Sequence, residues 1–421
     1  MYQSFELCSG VFLRYLHSSR FKQGVITIQF VRPMDRQEAS MNAILPEILL
    51  RGCRQYPDLR QITLHLDDLY GAAVSGQVRR VGDYQTVGLG CAFMEDRFAL
   101  QGDQILAPAL DFLGQLLLQP VTEKGVFARE FISGEKRNMI SALESTRNDK
   151  AAYASNQLLK TMCRGDSYSI PRLGTIPQVK KITAPKLWDH YGKVLRESPV
   201  EIFYVGSAPM EQVADLLRPV FASLQRNVEA LPPQTALQVG KPGRKTEMMD
   251  IAQAKVALGL VTPITNRDDR FAAMQVLNTV FGGGMNSKLF AKVREEKGLC
   301  YSVGSGYYGG KGIVTVHAGV ENARCEEAEA AILAQLDACK MGQITPAELA
   351  AAKNAMLSGL RAVYDSPGAM ERYFSANALS GVEMTPEQHA EKIRAVTVAD
   401  LVEAASTVQM HAAFFLKGAA K

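Results

Sequence analysis

No two cysteines in this chain are spaced as C-x-x-C. The seven present (Cys8, Cys53, Cys91, Cys163, Cys300, Cys325 and Cys339) are odd in number and scattered. That pattern excludes a disulfide framework and a cysteine-built zinc site, and reads as reduced, mostly buried thiols. No apolar run reaches membrane-spanning length and no basic-then-apolar leader opens the sequence, so a cytoplasmic protein with no membrane partner is expected. Neither sign of charge prevails, with 21% charged residues and a net charge of +4, which argues against a nucleic-acid partner. A G-x-S-x-G elbow, a C-G-x-C-W signature and a Rossmann glycine fingerprint after a strand are all missing, removing the common local signs of hydrolase and dinucleotide chemistry.

What is present suits two domains of about 200 residues each, since 421 residues exceed one comfortable core. An internal repeat supports this. Val31-Arg32-Pro33 and Val261-Thr262-Pro263 stand 230 apart (261 − 31), as do Gly52 and Gly282 (282 − 52). Each triplet ends an apolar strand-like run, Val25 to Val31 and Val256 to Val261, and each is followed by a helical stretch that stops at the glycine. One helix carries Met41, Ile44, Leu45, Ile48 and Leu49 on a face, and the other Phe271, Met274, Leu277 and Val280. Two copies of one α/β unit are expected. Leu231-Pro232-Pro233-Gln234 and Gly240-Lys241-Pro242-Gly243 break the periodicity between them. The expected division is therefore a domain over 1–225, a linker over 226–250 and a domain over 251–421. Strands over Gly71 to Val81, Tyr84 to Phe93 and Gly312 to Val320 alternate with helices over Ala107 to Leu118, Lys124 to Ser145, Cys325 to Cys339 and Pro346 to Leu360. The order suits an antiparallel or mixed sheet with helices on one face, an α+β layering.

The most informative stretch is Gly282 to Tyr301, GGGMNSKLFAKVREEKGLCY. Leu289, Phe290 and Val293 recur at helical spacing within Asn286 to Lys297, which predicts a short amphipathic helix with Arg294 in its last turn. Gly298 stands where a left-handed cap is wanted, and Leu299 to Val303 reads as the start of a strand. Arg294 and Tyr301 thus flank a helix-to-strand turn, where a guanidinium and a phenol can converge as a fixed pair of donors for a peptide carbonyl. For an arbitrary arginine and tyrosine, a solvated helix end and a core aromatic would be the better reading. The glycines Gly282, Gly283 and Gly284 are not a phosphate loop, because no Gly-Lys-Ser/Thr ending follows and a helix precedes them.

This stretch resembles the second-domain motif of the pitrilysin, insulinase and mitochondrial processing peptidase family (peptidase M16), whose zinc motif is H-x-x-E-H. The resemblance implies two homologous α/β sandwich domains of the LuxS/metallohydrolase-like kind, facing each other as a clamshell. It also implies that Gly282 to Gly284, Arg294 and Tyr301 bind substrate, with the last two steadying the oxyanion of a tetrahedral intermediate.

Against that family pattern, the metal site is missing. Counted back from Gly52, the H-x-x-E-H positions fall on Ala43-Ile44-Leu45-Pro46-Glu47. Zinc needs two imidazoles at i and i+4 on one helical face and a carboxylate beside them to deprotonate its water. Ala43 has no donor, Pro46 is no base and is expected to disturb the helix, and Glu47 reads as a solvated helix carboxylate. The third ligand, expected within Gly134 to Leu143, matches Ser141 or Ala142, while Glu144 faces about 200° away from Ala142. None of the six histidines pairs with another at ligand spacing, and His65, near Asp67 and Asp68, reads as a helix-surface residue.

The resemblance is therefore to a metal-less bacterial member of the family. Such a chain is expected to bind no cofactor, with zinc only in a partner. It would pair with a zinc-bearing paralogue, as a heterodimer, or with itself, and lend Arg294 and Tyr301 to peptide processing in trans. The alternative, from a different class, is a scaffold pseudopeptidase that captures an extended peptide on a sheet edge.

Overall fold

In the stretch Gln23–Pro33, apolar residues at every second position put Ile26, Ile28 and Phe30 on one face and leave Thr27, Gln29 and Val31 on the other, as a pleated strand requires. This strand, β3, sits inside a six-stranded sheet of the computed structural model, which describes residues 2–418. The chain begins with β1 (Gln3–Cys8) and β2 (Val11–His17), then β3, α1 (Ala39–Leu49), α2 (Leu59–Asp68), β4 (Ala73–Val81), β5 (Tyr84–Met94) and α3 (Leu106–Leu118). A short hairpin, β6 (Thr122–Glu123) and β7 (Val126–Phe127), leads into α4 (Arg129–Asn148), α5 (Lys150–Met162), α6 (Ile176–Lys180), α7 (Ala184–Glu197), β8 (Val200–Gly206) and α8 (Met210–Ala222). The helix expected from Lys124 thus starts at Arg129. Lys124 and Gly125 instead take φ of +54° and +80°, the paired left-handed values of a tight hairpin turn.

The second half runs β9 (Gly243–Met249), β10 (Ala254–Val261), α9 (Phe271–Phe281), a π-helix (Leu289–Glu296), β11 (Cys300–Tyr308), β12 (Ile313–Val320), α10 (Cys325–Lys340) and α11 (Pro346–Ala362). It closes with α12 (Pro367–Leu379), α13 (Pro386–Ala395), α14 (Val398–Ser406) and β13 (Gln409–Gly418). Strand β9 falls inside the expected linker. Its polar sequence, GRKTEMM, is that of an edge strand, and what makes it a strand is parallel pairing along β13.

The repeat read from the sequence is one of topology. The first sheet, taken from one edge, runs β4-β5-β3-β8-β2-β1, and the second β11-β12-β10-β13-β9. Each has antiparallel pairing throughout except for one parallel pair, β2 with β8 and β13 with β9. Each sheet buries one face under helices of its own half. Ile28, Leu89 and Ile202 meet Ile44, Leu113 and Leu217 in the first core. Leu258, Val316 and Phe415 meet Met274, Ile332 and Leu401 in the second.

Helices on one face do not complete either layer. Contacts divide the chain into two compact units, one made of the residues up to Leu143, Ile170–Pro233 and Val363–Leu379, the other of Glu144–Ser169, Gln234–Ala362 and the residues from Ser380. Helix α12, late in the chain, covers the second face of the first sheet, where Met370 and Phe374 meet Leu16, Phe203 and Val205. Helix α5, early in the chain, does the same for the second sheet, where Ala154, Leu158 and Met162 meet Ala257, Phe414 and Leu416. A buried charge pins α12. Glu371 accepts from Thr27 Oγ1 at 2.8 Å, Gln29 Nε2 at 3.1 Å and both terminal nitrogens of Arg79 at 2.9 Å. Among the described residues, no helix is long and apolar enough to cross a membrane.

Candidate functional site

The stretch that follows α9 is shaped by a glycine where a close approach demands one. The carbonyl of Gly282 accepts from the Ser305 N–H at 2.9 Å, and a Cβ on Gly282 would stand 2.6 Å from Ser305 Oγ and 2.7 Å from Leu289 Cδ1. Any side chain here would have to displace those of Ser305 and Leu289. Gly283 is similarly close to Thr279, while Gly284 has nothing within 4 Å and leads to Met285, which is 77% exposed. The glycines therefore shape a packed turn and an exposed tip.

The helix expected over Asn286 to Lys297 is present, but wound as a π-helix from Leu289 to Glu296. Leu289 and Val293, four apart and therefore on one side, are both fully buried in the second core. The buried Lys288 ammonium anchors its start on Glu348 at 2.8 Å. The expected cap is found: Gly298 has φ of +57°, its N–H donates to the Arg294 carbonyl and the Leu299 N–H to the Val293 carbonyl, both at 3.1 Å. Strand β11 then opens with an irregularity. Cys300 lies opposite Val320 and Ser302 opposite Gly319, so Tyr301 is the extra residue of a bulge. Bulges re-aim side chains, and here Cys300 is buried whereas Tyr301 is 79% exposed.

The helix and the bulge bring Arg294 and Tyr301 together. The guanidinium carbon of Arg294 lies 5.9 Å from the Tyr301 ring centroid and 4.5 Å from that of Phe290, within the range of cation–π attraction. Its Nε is 3.3 Å from Glu295 Oε1. Lying over two rings restrains a long, flexible side chain that stays partly exposed, at 37%. Burial pushes the neighbouring Cys300 thiol up, with the Arg294 charge working the other way, so this sulfur is a neutral packing group.

The positions of the expected zinc motif lie on α1. Ala43 is buried, and the helix runs on through Pro46 to Leu49, with Leu50 N–H donating to the Pro46 carbonyl at 3.0 Å. The disturbance expected of Pro46 is absent because the flanking turns are held by burial of Ile44, Leu45, Ile48 and Leu49. Glu47 is exposed as a residue, yet its carboxylate end is enclosed against β4, where a Cβ on Gly76 would stand 2.6 Å from its Oε1. That enclosure, more than the nearby Glu135 charge, pushes its carboxyl up, and Arg51 partly offsets both. Ser141 and Ala142 are exposed on α4. Neither Ala43, Pro46 nor Ala142 carries a donor atom for zinc, so these residues do not fit the metal. Among the described residues, no group of three or more His, Cys, Asp or Glu is placed to hold one.

Sequence reasoning missed what stands there instead. Arg51 Nε donates to the buried Glu135 at 2.6 Å, and Asn138 Nδ2 to the other carboxylate oxygen at 3.1 Å, clipping α1 to α4. No local pattern announces a pair 84 residues apart. His65 is also not the plain surface histidine expected. It stacks on Tyr56 at 4.3 Å and meets Phe112 at 4.9 Å, and burial pulls its pKa down against Asp68 and Asp111.

Comparison with known proteins bears on the same features. Residues 181–356 match the family described as Peptidase M16 inactive domain. A Bacillus subtilis protein, "Probable inactive metalloprotease YmfF", is 26% identical over 409 residues, covering 97% of this chain and 96% of that one. The crystal structure of a conserved protein from Enterococcus faecalis superposes with a TM-score of 0.92 at 28% identity, covering 100% of this chain and 99% of that one. A peptidase M16 inactive domain from Pseudomonas fluorescens gives 0.82 at 16% identity over 100% of this chain and 98% of that one, a likeness of fold alone.

Proposed function

We propose, from the premise that this chain belongs to the peptidase M16 family as an inactive homologue, that it is the substrate-holding member of a two-chain peptidase. A zinc-bearing relative would supply the metal and the attacking water. This chain would supply Arg294 and Tyr301 in trans. The observation that carries the reading is their convergence: a guanidinium restrained by two rings and a phenol freed by a bulge, 5.9 Å apart from Cζ to centroid. Both are donors, Arg294 with N–H groups and the exposed Tyr301 with its O–H. A scissile carbonyl placed between them gains most when its oxygen becomes an anion, because fixed donors pay no reorganisation at that moment.

The test is reconstitution with a zinc-bearing M16 protein. Arg294→Ala and Tyr301→Phe should each leave the fold intact and lower turnover of the pair by about a hundred-fold. Unchanged turnover in both variants would refute the role in trans. A second reading is favoured by the position of Tyr301 on β11, the edge strand of its sheet. There the chain would hold an extended peptide by main-chain pairing and never take part in cleavage. Peptide binding that persists in both variants, with no turnover beside any zinc-bearing partner, would select it.

A further inference from the structure

One face of α4 lies beside the Glu135 clip, and Ile132 on it reaches down into the first core. Arg129, Ile132, Lys136, Arg137 and Ile140 recur along it at helical spacing and, with the turn Ile182–Pro185, line a groove of about 550 Å³. That size lies within the range of ligand-holding clefts. Its floor is apolar, with Ile132, Ile182 and Ala184 all buried. No carboxylate lines it. Lys136 Nζ is held by the carbonyls of Lys180 and Ile182 at 2.9 and 2.7 Å. The side chains of Arg129, Arg137, Lys180, Lys181 and Lys186 are exposed and make no ion pair among the described residues.

The local charge is out of proportion to the chain. Residues 129–140 hold three cations against two acids, and 180–186 hold three lysines and no acid, a surplus of four that equals the whole net charge of +4. One of those two acids, Glu135, is already spent on Arg51. Elsewhere the charges balance; here they do not.

We infer that this groove is a docking site for a short acidic segment of a partner protein, bearing apolar side chains that enter between α4 and the Ile182–Pro185 turn. Uncompensated cations around an apolar floor complement that chemistry, with the carboxylates giving specificity and encounter rate and the buried side chains giving affinity. A concave cleft suits a chain segment, whereas a bilayer presents a plane. The groove shares no residue with the Arg294 and Tyr301 site, so either assignment can fail without the other.

A fluorescein-labelled peptide of glutamates with leucine at every fourth position serves as the probe, followed by anisotropy. Binding should weaken as salt rises through the range where the screening length falls to about 10 Å and below. Arg129→Glu with Arg137→Glu should weaken it at least about ten-fold, the equivalent of about 1.4 kcal/mol, with an unchanged melting temperature. Ile140→Ser should weaken it without altering the salt dependence. Equal binding by the double reversal overturns the inference, as does equally tight binding of polyglutamate lacking leucine. So does binding of phosphatidylserine vesicles, but not of the peptide, that depends on the same arginines.

Discussion

Asn42 accepts a hydrogen bond from Nε2 of His190 at 2.7 Å, while its own amide donates to Gln85 at 2.9 Å, one residue before the first position of the missing zinc motif. Burial, with Arg32, Lys193 and Lys186 adding to it and Glu38 opposing, lowers the His190 pKa from 6.5 to about 4. An unfolded histidine takes up a proton near 6.5; the folded one resists until about 4. The neutral ring therefore contributes its full share of stability above pH 6.5, and that share is lost as the pH falls to 4, for a total of about 3 kcal/mol. Urea midpoints measured across this window should fall more steeply for the native chain than for His190→Gln.

Gly282 and Gly284 should behave oppositely. Alanine at Gly282 meets Ser305 and Leu289 below 3 Å, an overpacking that costs about 1–3 kcal/mol. Alanine at Gly284 meets nothing within 4 Å and should be neutral. Chemical denaturation of the two variants side by side checks this.

Glu371→Ala should cost about 3 kcal/mol, because it leaves Arg79, Thr27 and Gln29 without their shared acceptor under α12. Unfolding midpoints in urea give the value. A loss below about 0.5 kcal/mol would mean that the apolar ends of α12 hold it alone.

Ala43→His with Glu47→His should not create a zinc protein. Ala43 is buried, so the larger imidazole there is crowded, and Ala142 still offers no third ligand. Elemental analysis after gel filtration should find no retained zinc. Near-stoichiometric metal would show that α1 and α4 can rebuild the site.

The sequence by itself determined what depends on near neighbours along the chain. The strand at Gln23–Pro33, the helices that end near Gly52 and Gly282, and the left-handed cap at Gly298 were legible because pleat, helical period and positive φ are local properties. So was the want of donor atoms at Ala43, Pro46 and Ala142, since these side chains carry none in any fold. Only the tertiary structure decided the rest. Strand β9 exists because β13 pairs with its polar sequence. Tyr301 turns outward because β12 holds Cys300 and Ser302 in a register that leaves it unpaired. The helix before it is wound as π, although its apolar spacing fits an α-helix equally well. Helices α5 and α12 complete sheets of the opposite halves, an exchange that no local period can encode, because the free energy comes from apolar faces that meet only after the chain has folded.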